Sequence, residues 1–237
     1  EKGLSTSQLV AEMLSEAGLP DGVFNVVHGD KEAVDALITH PEVAAISFVG
    51  STPIARYIYE AGTQHGKRVQ ALGGAKNHMI VLPDADMNLA ADAAVSAGYG
   101  SAGERCMAIS AVVAVGDAGD RLVEGVQARI EKLNVGPGDQ PGVEMGPLVT
   151  KEHLEKVRGY VDAGEQQGAL LVADGRGHVV EGFENGFFLG PTLFDNVTTD
   201  MSIYTDEIFG PVLSTVRMEH YDEAIELINR NPYGNGT

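Results

Sequence analysis

The chain is 237 residues long and 43% hydrophobic, and its 16 basic against 34 acidic side chains give a net charge of −18 at pH 7. A field of that sign repels phosphate backbones and argues against a nucleic-acid partner, so an anionic ligand must be held locally by backbone N–H groups or a few placed cations. No apolar run is long enough to cross a bilayer and no basic-then-apolar leader opens the sequence, while a single cysteine, Cys106, excludes an internal disulfide and fits a reducing cytoplasm.

Between residues 5 and 17, Leu9, Val10, Met13, Leu14 and Ala17 recur on one helical face. Ser5 or Thr6 can cap that helix, and Gly18 with Pro20 stops it. Residues 23–27 read as a buried strand, and a short helix through Ala33, Val34 and Leu37 closes at Pro41. A second strand at 45–49 turns through Gly50-Ser51-Thr52 into a helix reaching about His65, and a third strand occupies 68–72. This βαβαβ alternation predicts a parallel sheet, whose ligands sit at the carboxyl ends of its strands, where Gly50 and Ser51 stand.

The pattern restarts after Gly73-Gly74, which divides the chain into domains 1–74 and 75–237. A strand at 78–82 is followed by a helix over 88–97 capped by Asp86, then by the glycine-rich segment 98–106 and a strand at 111–115. Helices through Leu122, Val126, Ile130 and Leu133 and over 151–167, strands at 169–172 and 212–217, and a helix over 222–228 complete the reading. Asp174-Gly175-Arg176-Gly177 reads as a turn, and Met107 and Met145 as packing. The seven histidines show no metal-ligand spacing, so no metal site is expected. The opening Glu1-Lys2-Gly3 and the unfinished turn at 231–237 make both ends look cut.

Chemistry concentrates in Gly100-Ser101-Ala102-Gly103-Glu104-Arg105-Cys106-Met107-Ala108. Two glycines allow a close backbone approach to a ligand just before the only thiol. A reactive thiolate needs local positive potential or helix-terminal N–H groups; Arg105 supplies a cation next to it in sequence, and Glu104 opposes it. On these residues alone Cys106 is either a packed small hydrophobe or a nucleophile, and both readings stay open.

Several motifs in order and at matching spacing decide between them. They are Gly18-Leu19-Pro20-Asp21-Gly22-Val23-Phe24-Asn25-Val26-Val27, Phe48-Val49-Gly50-Ser51, Leu72-Gly73-Gly74, Gly103-Glu104-Arg105-Cys106, Met145-Gly146-Pro147 and Asp206-Glu207-Ile208-Phe209-Gly210-Pro211-Val212. Over its whole length the chain resembles the middle of an aldehyde dehydrogenase. Gly74-Ala75-Lys76-Asn77-His78 and Gly100–Met107 resemble, more narrowly, the CoA-acylating methylmalonate-semialdehyde dehydrogenase branch. The resemblance implies an α/β fold, the C-terminal part of a Rossmann-type NAD-binding domain followed by a truncated α/β catalytic domain.

It also implies that Cys106 attacks the aldehyde and that NAD is the cofactor. Gly50 and Ser51 then receive the pyrophosphate, Gly73 a backbone contact near the nicotinamide, Glu207 the nicotinamide ribose with Phe209 beside it, and Glu1 and Lys2 the adenosine ribose. The family's second glycine after Gly50 is Ala55 here. Arg105 is expected to grip a substrate carboxylate through paired hydrogen bonds, the alternative being an ordinary ion pair. Hydrolytic members place a glutamate just before the two glycines; here that position falls on Leu72 or Ala71, neither of which takes a proton. Coenzyme A is therefore the expected acyl acceptor, with loss of carbon dioxide to give propionyl-CoA or acetyl-CoA. The alternatives are a hydrolytic enzyme with a displaced base, such as Glu104 or Glu207, and a non-catalytic dinucleotide-binding chain. The family's oxyanion asparagine and ribose-contacting lysine have no counterpart in these residues, so this stretch alone is expected to turn over little aldehyde. Resemblance suggests a homodimer or homotetramer for the intact enzyme.

Overall fold

The computed structural model describes residues 3–237. Glu1 and Lys2, expected at the adenosine ribose, lie outside the described residues. The described chain divides into two compact units, one ending at Gly74 and the other beginning at Ala75.

The first unit holds α1 (Leu4–Glu16), α2 (Lys31–Thr39), β1 (Ala45–Val49), α3 (Thr52–Gln64) and β2 (Arg68–Leu72). Helix α1 starts from Gly3 without a side-chain cap, not from Ser5 or Thr6. It ends as expected, because Gly18 takes φ +91° and its N–H and that of Leu19 return to the Ser15 and Leu14 carbonyls. Asp30 caps α2 by accepting from the Glu32 N–H. β1 and β2 run parallel, with Ile46 opposite Val69 and Phe48 opposite Ala71, and α3 is the crossover between them.

Residues 23–27 do not form the expected strand. Val23 and Val27 are 65% and 66% exposed, and no ladder joins this segment to β1. A strand has no internal hydrogen bonds, so an apolar run without a pairing neighbour among the described residues stays irregular. The alternation here is therefore βαβ. Ile38, Ala55 and Ile58 form the buried apolar positions of this unit, and Lys67 closes it by donating to the His40 and Val43 carbonyls, each at 2.6 Å.

The second unit is built on a five-stranded sheet in the order β3-β4-β7-β6-β5. Its strands are β3 (Asn77–Val81), β4 (Ile109–Val115), β5 (Leu170–Ala173), β6 (Thr192–Asp195) and β7 (Val212–Met218). All pairs are parallel except β5 with β6. The helices are α4 (Met87–Tyr99), α5 (Ala118–Ile130), α6 (Lys151–Gln166), the one-turn α7 (Ser202–Thr205) and α8 (Tyr221–Arg230). Central strands β4 and β7 are apolar along most of their length, as strands covered on both faces must be, and Val113, Leu213 and Phe194 are fully buried. Asp86 caps α4 through the Asn88 and Leu89 N–H groups, as the sequence predicts.

β6 and α7 have no counterpart in the sequence reading. β6 is four residues long and α7 a single turn, too short to show a period. Met145 is buried in the core, whereas Met107 is 61% exposed and its sulfur accepts from the Asn235 side-chain amide at 3.2 Å. Arg176 ties its turn to α6 through Asp162 and Glu165.

Candidate active site

Cys106 stands exposed on the loop between α4 and β4. The chain reaches it through an unusual reversal. Residues Gly100–Gly103 form a single 3-10 turn in which Ser101 (φ 52°), Ala102 (φ 54°) and Gly103 (φ 70°) are successively left-handed. L-residues rarely adopt this conformation, and at Gly103 a side chain is excluded outright, because a Cβ there would overlap the Gly210 carbonyl. The second glycine of the motif thus lets the thiol-bearing loop lie directly on the loop that follows Glu207. Gly103→Ala is expected to destabilise the fold by about 2–4 kcal/mol, combining overpacking with a disfavoured φ, as a drop in the urea midpoint at unchanged m-value.

Beyond Gly103 the chain turns tightly at residues 105–108, the Ala108 N–H bonding to the Arg105 carbonyl. Asn77, 2% exposed at the start of β3, donates through Nδ2 to the Cys106 and Ala108 carbonyls, both at 2.9 Å. Asn235 donates to the same Cys106 carbonyl at 2.8 Å. Both lone pairs of that carbonyl are therefore engaged, which fixes the peptide plane carrying the thiol. Neither asparagine was anticipated at this loop; the available signal was a polar residue opening a buried strand.

Arg105 folds back over the 3-10 turn. Its Nε donates to the Ser101 hydroxyl at 3.0 Å, and its guanidinium covers Gly100, where a Cβ would meet Nη1 at 2.8 Å. Among the described residues it makes no ion pair with a carboxylate. Its terminal N–H groups remain available to a ligand, and the residue borders two spaces. One is a cavity of about 20 Å³, room for one water molecule, lined also by Asn77, Cys106 and Glu207. The other is a cleft of about 480 Å³ shared with Ser96, Tyr99, Arg129 and Lys132.

Glu207 and Phe209 lie on the loop between α7 and β7. The Ala75 N–H donates to Glu207 Oε1 at 3.0 Å, and the buried Lys76 ammonium donates to the Ile203 and Asp206 carbonyls at 2.7 and 2.8 Å. Burial pulls the Lys76 pKa down to about 8, against the raising effect of the Asp206 and Glu207 carboxylates. Residues 75–77 thus hold both loops of the site, Asn77 the thiol loop and Ala75 with Lys76 the Glu207 loop. Phe209 is left-handed (φ 58°). Glu104, held half-buried between the Val149 N–H and His153, has its carboxyl pushed upward chiefly by burial.

In the first unit, Gly50 and Ser51 occupy the turn from the carboxyl end of β1 into α3. Ser51 is the N-cap residue, and its hydroxyl makes no capping bond. That leaves a hydroxyl and the first amides of a 13-residue helix as a donor set of the kind that takes a phosphate oxygen. Gly73 follows β2 and lies against this turn; a Cβ there would meet Thr52 Oγ1 at 2.8 Å. The Thr52 hydroxyl accepts from the Gly74 N–H at 3.0 Å.

The sequence profile of the aldehyde dehydrogenase family matches residues 1–237. The chain belongs to the aldehyde dehydrogenase family. Malonate-semialdehyde dehydrogenase of Pseudomonas aeruginosa is 60% identical over all of this chain and 48% of its own length. The human mitochondrial methylmalonate-semialdehyde/malonate-semialdehyde dehydrogenase [acylating] is 48% identical over all of this chain and 44% of its own length. Among solved structures, methylmalonate-semialdehyde dehydrogenase of Oceanimonas doudoroffii superposes with a TM-score of 0.95 at 57% identity, covering 97% of this chain and 47% of that one. Betaine aldehyde dehydrogenase of Staphylococcus aureus in complex with NAD+ gives a TM-score of 0.90 at 32% identity, covering 95% and 45%. The chain spans about half the length of the curated relatives it matches. The expected α/β aldehyde dehydrogenase fold is thereby established. No helix among the described residues is long and apolar enough to cross a membrane.

Proposed function

We propose that this chain carries the thiol and part of the cofactor-binding surface of an NAD-dependent, CoA-acylating semialdehyde dehydrogenase acting on methylmalonate or malonate semialdehyde. The observation that carries the reading is Cys106 itself. The only thiol of the chain stands exposed on a loop whose carbonyl is gripped by Asn77 and Asn235. The names of the curated relatives support the substrate class and the acylating chemistry.

The Cys106 thiolate adds to the aldehyde carbon, and backbone N–H groups of its loop help hold the oxyanion. NAD, when bound, supplies the hydride acceptor. Ser51, the amides opening α3 and Gly73 are proposed to hold it, together with the Glu207 carboxylate and Phe209. The acyl group is then a thioester on Cys106. The CoA thiolate attacks its carbonyl and expels the Cys106 thiolate. The substrate carboxylate leaves as carbon dioxide, with a proton taking its place on the α-carbon, which gives propionyl-CoA or acetyl-CoA.

A hydrolytic route needs a proton acceptor. Ala71 and Leu72 offer none, while Glu207 is tied to the Ala75 N–H and Glu104 to Val149 and His153. In the full-length protein, a semialdehyde mixed with NAD but no CoA is expected to release about one NADH per thiol and then stall. Added CoA restores turnover. Undiminished steady turnover without CoA overturns the acylating reading in favour of hydrolysis.

Arg105 is proposed to grip the substrate carboxylate. Arg105→Leu is expected to raise KM for the carboxylated semialdehyde about 10–100-fold, the loss of one bidentate charged contact of roughly 1.5–3 kcal/mol, while an uncharged aldehyde of similar length is unaffected. An equal effect on both aldehydes would reduce Arg105 to a packing role. The intact protein is proposed to be a homo-oligomer in a reducing compartment such as the cytoplasm.

A further inference from the structure

The imidazole of His153 lies where the two loops of the site meet. His153 is in the first turn of α6, fixed there because its own N–H is the one that Thr150 Oγ1 caps, at 3.0 Å. Its Nε2 stands 2.6 Å from the Phe209 carbonyl and 3.4 Å from Glu104 Oε1. A carbonyl only accepts, so Nε2 carries the proton and donates to it, with the Glu104 carboxylate on the same edge of the ring. Glu104 is two residues before the thiol, and Phe209 two residues after Glu207.

Steric contact joins the same two loops. Gly103 rests on the Gly210 carbonyl, and a Cβ on Gly210 would meet Val157 Cγ2 at 2.7 Å. Val157 is one helical turn after His153, on the same face of α6. The Phe209 ring stacks edge-on against His153 at 6.4 Å. The carbonyl that His153 grips belongs to a non-glycine residue in the left-handed region, a conformation that persists only where surrounding contacts impose it.

We propose that His153 is a positioning residue that locks the Glu207–Pro211 loop to the nucleophile loop, so that the cofactor carboxylate and the thiol are held as one assembly. The consequence for NAD rests on the reading of Glu207 given above; the locking itself does not. Its chemical requirement is one N–H donor reaching both oxygens, which a glutamine amide can approximate and a leucine cannot.

The test uses the full-length protein with His153→Leu and His153→Gln. Amide hydrogen exchange is followed in peptides covering 103–108, 207–212 and 151–166, alongside the rate of Cys106 alkylation by iodoacetamide and the Kd for NAD. In His153→Leu, exchange is expected to rise at least fivefold in both loop peptides but not in α6, and the alkylation rate to change in step. His153→Gln is expected to restore both loops to within about twofold of wild type. A rise confined to one loop, a rise in α6 as well, or a glutamine variant no better than leucine overturns the proposal. If His153→Leu does not fold, Glu104→Ala decides: it must raise exchange at 207–212, and no change there refutes the coupling. A fivefold weaker NAD Kd in His153→Leu is expected to match that of Glu207→Gln. A Glu207→Gln variant with unchanged Kd refutes the ribose role while leaving the exchange result to judge the coupling.

Discussion

Cys106→Ser in the full-length protein is expected to lower semialdehyde oxidation by about 10⁴-fold or more while leaving NAD binding and the unfolding midpoint close to wild type. The kinetic loss is large because, on the proposed mechanism, covalent capture is the step on which hydride transfer and acyl transfer both depend. A serine hydroxyl is scarcely ionised at neutral pH, and among the described residues no histidine is hydrogen-bonded to this position to serve it as a base. Stability should be spared because the side chain is exposed, and the loop is held by the Cys106 carbonyl, which the substitution keeps. Stopped-flow measurement of NADH checks both parts: the serine variant should lack even the single-turnover burst. A variant that keeps a tenth of the wild-type rate would remove Cys106 from the chemistry.

Installing a carboxylate where hydrolytic members carry their base is expected to give the protein a second acyl acceptor. Ala71→Glu and Leu72→Glu are both needed, because counting back from Cys106 and aligning the glycine pair place that residue one position apart. Leu72 is 50% exposed, so a glutamate there costs little burial. A positioned general base contributes roughly 10²–10⁴-fold, so one of the two variants should raise CoA-free turnover by about two orders of magnitude at unchanged burst amplitude. The rate rises with pH as the new carboxylate loses its proton, in a limb the parent lacks. If both variants fold and neither turns over without CoA, the missing base is not what sends the acyl group to a thiol.

Long periodic segments were legible from sequence because their burial is expressed at the period of the element that buries them. Helices α4, α5, α6 and α8 and strands β3, β4 and β7 fall where the pattern of apolar residues put them. The exposed run at 23–27 was not, since an apolar run specifies a strand only together with a partner to pair with. Strand β6 and helix α7 were too short to carry a period. At the site, Cys106 and Arg105 stood out because the only thiol of the sequence sat beside a guanidinium and just after two glycines. Asn77, Asn235 and His153 did not: their work is done by hydrogen bonds to main-chain carbonyls distant in sequence. Gly74-Ala75-Lys76-Asn77-His78 served in the sequence only as a mark of resemblance, and the structure gives it a physical task, holding the loops that carry the thiol and Glu207.

The three left-handed residues before Glu104 bear on how the thiol moves. Ser101 and Ala102 each cost about 1–2 kcal/mol there and Gly103 nothing sterically, so the reversal survives only while Gly103 stays pressed on Gly210 and Asn77 keeps its grip. A backbone clamped in this way has one soft coordinate left at the thiol, rotation about the Cys106 Cα–Cβ bond. Such rotations take picoseconds to nanoseconds, far faster than any turnover. On the proposed mechanism, attack, acylation and release follow one another by swinging a single sulfur atom, with no main-chain rearrangement to reset between cycles.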